Sequence, residues 1–143
     1  MGWLQTFAIS QSGMDAERLR VEVAALNISN ANIAATPGKP RVRPLSVVTQ
    51  TSMDFSQVYA QQNRHLDGVT AYIVEQTKHV PRQVYEPAHP LANERGMVEY
   101  PGINVLDEML TLTTAIRAYE ANIAAYNAAK AMNTRALDIG GQG

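Results

Sequence analysis

An uninterrupted heptad seam near the end of the chain constrains the fold more than any other feature. Val105, Met109, Leu112, Ile116, Tyr119, Ile123, Tyr126, Lys130, Asn133 and Leu137 follow one another at alternating steps of four and three. Such steps hold one stripe of an α-helix toward a partner over roughly five heptads. Neither Pro nor Gly breaks the run between Ile103 and Ile139. A helix this long, in a chain of 143 residues, does not bury its stripe in an ordinary compact core. It packs against another long helix, from the same chain or from a neighbour.

The prolines divide the chain. All seven fall between Pro37 and Pro101. The expected fold is therefore mainly α. Long N- and C-terminal helices pair as an elongated coiled coil, with a small β-hairpin and loop insertion between them. The boundaries read as an N-terminal helical arm over 1–34, a Pro-rich middle region with short strands over 35–102, and a C-terminal helical arm over 103–143. The first arm runs from about Trp3 to Ile33. Leu19, Val23, Leu26 and Ile33 mark one seam, with Asn30 on it, and Met14, Val21, Ala25 and Ile28 mark another. Together they make an apolar face wide enough for two neighbours. Gly13 is a weak point in that helix. The helix is expected to end before Thr36-Pro37-Gly38, because a residue preceding Pro disfavours the α region.

The middle region reads as short strands and loops. Leu45 to Val48 is a candidate strand, and Thr49 to Asp67 a polar loop. Val69 to Glu75, β-branched and aromatic after Asp67-Gly68, is the strongest strand signal. Val84–Glu86 and Met97–Tyr100 are expected to pair as a hairpin turning at Asn93-Glu94-Arg95-Gly96.

Catalytic chemistry finds little footing. His65, His79 and His89 have no ligand-type spacing. Asp107 and Glu108 are adjacent on a helix, so their side chains diverge, and both favour its positive end. There is no phosphate-binding Gly loop, no His-Glu-x-x-His run and no nucleophile elbow. The chain is read as non-enzymatic, with no cofactor, metal or small-molecule substrate. A net charge of −1 gives no electrostatic footprint for nucleic acid. No apolar run reaches the ~18 residues of a membrane span, and the N-terminus lacks the pattern of a cleaved signal peptide. The absence of Cys fits a reducing compartment, and equally an exported protein that avoids mispairing.

Polar residues on the seams carry two readings each. Asn27, Asn30 and Asn32 cluster where the first arm ends. Asn32 suits a helix C-cap. Asn30 and Asn133 suit the fixing of register and partner at a seam, as does Lys130, which otherwise snorkels to the edge. Tyr119 and Tyr126 fit plain core packing or a partly buried interface.

Several stretches resemble the bacterial flagellar basal-body rod proteins, and among them the proximal-rod type. The first runs from Phe7 to Asn32 and closes on Asn27-Ile28-Ser29-Asn30-Ala31-Asn32, with Ser29 where the family usually has Ala. The second, more specific, is Val84-Tyr85-Glu86-Pro87-Ala88-His89-Pro90-Leu91-Ala92 followed by Gly96-Met97-Val98. The third holds Asn104-Val105, Glu108-Met109, Arg117-Ala118-Tyr119-Glu120-Ala121-Asn122-Ile123, Asn127, Lys130 and Met132. Arg41-Val42-Arg43-Pro44-Leu45 departs from the family, which usually has an aromatic and basic segment there. Val48 to Leu66 also matches poorly.

The resemblance implies a structural subunit of the periplasm-spanning rod, which transmits torque. It implies paired terminal helices, export through the flagellar type III apparatus without a cleaved signal, and helical assembly. Its implied partners are copies of itself, other rod proteins, and proteins at the junction of the MS ring and export gate. The expected subunit contacts are then Leu19, Val23, Leu26, Asn30, Val105, Met109, Leu112, Ile116, Tyr119, Ile123, Tyr126, Asn133 and Leu137. Tyr85, Pro87, His89, Pro90 and Gly96 form a further contact in the middle region. The alternative is a soluble helical adaptor or chaperone-like module that uses the heptad face on one partner.

Overall fold

Helix α1 takes Gly2–Asn30 and α2 takes Val105–Gly140 in a computed structural model that describes residues 2–51 and 68–140, with side chains from Thr6 onward. Between them run β1 (Leu45–Thr51), β2 (Val69–Glu75), β3 (Arg82–Tyr85) and β4 (Met97–Tyr100). β1 pairs with β2, and β3 with β4. The fold is mainly helical with a small β insertion. β2 coincides with the expected strand. β1 starts where expected but continues through Thr51, three residues into the stretch read as a loop. The rest of that loop, residues 52–67, lies outside the described residues.

The chain divides into two units. The first takes Met1–Leu19, Val48–Tyr72 and Thr114–Gly143. Here α1 and α2 run antiparallel. The Phe7 ring lies 4.9 Å from that of Tyr126 at a tilt of 55°, and Gly13 lies against Asn122. Small residues permit this approach: Ala16 and Ala115 are buried, and a Cβ on Gly13 would stand 3.1 Å from Asn122 Nδ2. Gly13, weak on propensity alone, therefore sits inside a continuous helix because its missing side chain leaves room for Asn122. One residue earlier, the Ser12 hydroxyl donates to Ile9 O (2.8 Å) and accepts the Val69 N–H (2.9 Å), which holds the start of β2 to α1.

The second unit takes Arg20–Val47 and Ile73–Thr113. Its buried residues include Val23, Ala24, Asn27, Ala31 and Val98. α1 ends at Asn30, earlier than the Ile33 expected. The Ala31 N–H bonds back to Ile28 O (3.3 Å) and the Ile33 N–H to Asn30 O (3.1 Å). The Ala35 N–H is then drawn to Glu99 O at 2.8 Å. Asn104 caps α2: its Oδ1 accepts the Leu106 N–H (3.1 Å), and its Nδ2 donates to Asp107 Oδ2 (2.7 Å). Asp107 and Glu108 occupy the first turn, at the positive end of the dipole.

The hairpin forms with Arg82 opposite Tyr100, Gln83 opposite Glu99, Val84 opposite Val98 and Tyr85 opposite Met97. The strand partner begins at Arg82 rather than Val84, and Glu86 lies beyond it. Val98 is the fully buried member of its pair. The Arg82 guanidinium lies 5.3 Å from the centre of the Tyr100 ring, and the Tyr100 hydroxyl donates to Glu86 Oε2 at 3.1 Å. The tip turns where expected. Asn93 Oδ1 accepts the N–H groups of Arg95 (2.9 Å) and Met97 (3.0 Å), and Gly96 follows at a φ of 71°.

Candidate assembly surface

The covered stripe of α2 coincides only in part with the one that hydrophobicity marks. Val105, Leu112, Tyr119, Tyr126 and Asn133 are half-buried. The other half of the expected seam stands out: Met109, Ile116 and Ile123 are 53%, 41% and 36% exposed, and Leu137 is exposed too. Covered in place of Met109, Ile116, Ile123 and the exposed Lys130 are Glu108, Ala115, Asn122 and Ala129, each one position earlier, whereas Ala136 is exposed like Leu137. The cause is the close approach of α1. Small or slender side chains fill the contact, and the branched ones are displaced to its flank. Two heptad stripes therefore lie side by side on α2. One is used within the chain, and the other, Met109–Ile116–Ile123, is left uncovered.

On α1 the expected contacts divide in the same way. Val23 is buried, Leu19 and Asn30 are half-buried, and Leu26 is exposed. In the middle region Tyr85, Pro87 and Pro90 are exposed, and His89 and Gly96 are half-buried. His89 is held by its own loop: Nδ1 accepts the Leu91 N–H (3.1 Å), and the His89 N–H donates to Glu86 O (3.0 Å). The Glu86 N–H in turn donates to Gly96 O at 2.9 Å. Tyr85 thus projects from a segment whose backbone is tied down on both sides.

A polar clamp in the second unit was not legible in the sequence. Asn27 is 2% exposed. Its Oδ1 accepts the Leu45 N–H at 2.9 Å, and its Nδ2 donates to Leu45 O at 2.8 Å and Glu108 Oε1 at 3.1 Å. One amide so fastens the first residue of β1 and the first turn of α2 to α1. Loss of water around the Glu108 carboxyl pushes its pKa above the ordinary 4.5; the Asn27 hydrogen bond opposes this, and Asp107 adds to it. The sequence pointed to Asn30 and Asn133 for this kind of role. The available signal was the four-residue step from Val23 to Asn27, which puts both on one face. Among the described residues no helix is long and apolar enough to cross a membrane.

Residues 94–139 match the family model for the flagellar basal body rod FlgEFG protein C-terminal region. Relatives extend the likeness along the chain. The flagellar basal-body rod protein FlgC of Salmonella typhimurium is 34% identical over 140 residues, covering 98% of this chain and 99% of that protein. FlgC of Aquifex aeolicus is 33% identical over 134 residues, 91% of each chain. FlgC of Bacillus subtilis is 32% identical over 143 residues, covering 92% of this chain and 94% of its own.

Proposed function

The chain belongs to the FlgC family of flagellar basal-body rod proteins, and from that premise we propose how it works as a structural subunit of the rod. The arms pair as a coiled coil that is completed by neighbouring subunits. The uncovered stripe of α2 (Met109, Ile116, Ile123 and Leu137) packs on a neighbour's helix, with Leu26 on α1 as a further contact. The covered seam of Leu19, Val23, Asn30, Val105, Leu112, Tyr119, Tyr126 and Asn133 sets the pairing on which that outer stripe depends. Tyr85, with the loop through Pro87, His89, Pro90 and Gly96, makes a separate contact from the middle region.

Partners in this reading are further copies, other rod proteins, and proteins at the junction of the MS ring and export gate. In this reading the chain reaches the rod through the flagellar type III apparatus. Assembled helically, it serves as part of a shaft that transmits torque across the periplasm, a mechanical role with no chemical step. Full-length likeness to rod proteins favours this over a helical adaptor.

One observation carries the proposal: large apolar side chains recur every seven residues on α2 yet stay exposed. The test is rod assembly in cells whose only copy carries Ile123→Asp. Assembly is expected to fail, because a carboxylate buried without a partner costs several kcal/mol, on the order of 3–5. Ile123→Val should assemble normally, at a cost of about 0.5–1.5 kcal/mol. Normal basal bodies from the Asp variant, counted by electron microscopy, would remove the stripe from the interface.

A further inference from the structure

One edge of the β3–β4 hairpin is open. The Glu86 N–H bonds to Gly96 O, and the register puts Val84 opposite Val98 and Arg82 opposite Tyr100. Bonded positions alternate in an antiparallel pair, so Arg82, Val84 and Glu86 turn their N–H and C=O groups toward β4. Gln83 and Tyr85 turn theirs away. The outer edge of β4 is occupied: Glu99 O accepts the Ala35 N–H, and Met97 O accepts the Asn93 N–H. On β3, among the described residues, no hydrogen bond reaches the outward groups of Gln83 or Tyr85, and both residues are exposed. An edge of this kind accepts a further strand.

Two features select the strand that fits. Pro81 and Pro87 stand at the next outward positions on either side and have no N–H to give. When two copies of β3 meet antiparallel with Val84 on the two-fold axis, Gln83 of each lies opposite Tyr85 of the other. All the outward N–H groups then find carbonyls. A slip of two residues either way sets Gln83 or Tyr85 opposite a proline and leaves a carbonyl on each copy unmet. The same register sets Arg82 of one copy opposite Glu86 of the other, on the face that carries Val84. Arg82 is exposed and makes no ion pair among the described residues; its guanidinium lies over the Tyr100 ring. Glu86 accepts the Tyr100 hydroxyl at Oε2, which leaves Oε1 for a cation. β3 is complementary to itself both in hydrogen bonding and in charge.

We propose that the free chain pairs with a second copy through β3, edge to edge and antiparallel about Val84, so that the two hairpins form one continuous sheet. The same patch serves on both copies, and the contact closes at two. It is separate from the repeating contact of α2 and goes beyond the rod function: it covers the open edge before a copy enters an assembly. A strand of 4 residues makes a contact well under the ~1,200 Å² of stable complexes, so the dimer is weak and forms at high concentration.

The chain has no Cys, so an introduced thiol reports its own position. Val84→Cys and, separately, Gln83→Cys are purified and oxidised with copper-phenanthroline at millimolar concentration. Directly opposed residues outside the bonded pairs bring their Cα atoms to about 4.5 Å, within disulfide reach, so Val84→Cys should give about fivefold more covalent dimer than Gln83→Cys. Random collision would favour Gln83, the more exposed of the two; that ranking, or monomer from both, overturns the proposal. Adding Arg82→Glu to Val84→Cys should lower the yield about fivefold by setting like charges opposite each other, and adding Glu86→Arg as well should restore it to within about twofold. A swap that restores nothing overturns the register. Should Val84→Cys fail to fold by circular dichroism, sedimentation of the unaltered chain is compared with Gln83→Pro, which removes an outward N–H and no bond to β4. A concentration-dependent dimer that Gln83→Pro abolishes is expected; no dimer in the parent, or equal dimer in both, overturns the proposal. None of these outcomes moves the Ile123 test, which bears on the rod interface alone.

Discussion

Asn27 shows how much one side chain carries. Its amide satisfies both backbone groups of Leu45 and a Glu108 oxygen. Asn27→Ala leaves them without that partner in a partly closed site, and should cost about 2–3 kcal/mol, read as a lowered urea midpoint with an unchanged slope. Glu108 gives a second, pH-dependent signature. Because its folded pKa is raised above 4.5, the folded state holds the proton more tightly than the unfolded state. Its contribution is therefore most favourable below the ordinary carboxylate range and declines as pH rises through the raised value. Glu108→Gln keeps the acceptor for Asn27 and removes the charge. The variant's stability relative to the parent should climb from acid to neutral pH; a difference that stays flat would refute the assignment. None of this was legible from Asn27 itself. Asn near a helix end is ordinary, and its burial depends on β1 and α2, which arrive from distant parts of the chain.

At the scale of elements, the hairpin makes the clearest demand. Gly96 has a φ of 71°, and a Cβ there would stand 2.9 Å from Tyr85 Cε2. Gly96→Ala combines left-handed strain with displacement of the Tyr85 ring. It should cost about 1–2 kcal/mol, seen as a lower melting temperature and faster amide exchange at Met97. The turn was legible because Asn and Gly there have specific backbone reasons, and β2 was legible from its run of β-branched and aromatic residues. The end of α1 was less so. Pro37 gave a latest possible stop, but the actual stop follows from the Ala35–Glu99 hydrogen bond, which is tertiary. The heptad period of α2 was plain, yet period alone does not say which flank is covered. Large apolar residues dominate the pattern, whereas close helix approach selects Gly13, Ala16, Ala115 and Asn122.

At the scale of the molecule, the buried residues among those described are few and mostly small, Ala16, Ala24, Ala31 and Ala115 among them. Large apolar side chains such as Leu106, Leu110, Met132 and Ile139 are exposed. Exposed apolar side chains on this scale are the kind of surface that marks an interaction face, which agrees with membership of a family of rod subunits. The central claim is that the outer stripe of α2 is covered by a neighbouring subunit. Ile123→Cys supplies a single thiol in a chain that otherwise has none. Its maleimide labelling rate, compared between the purified chain and intact basal bodies, tests the claim most directly. The account predicts ready labelling of the free chain and strong protection in the rod; equal labelling in both would contradict it.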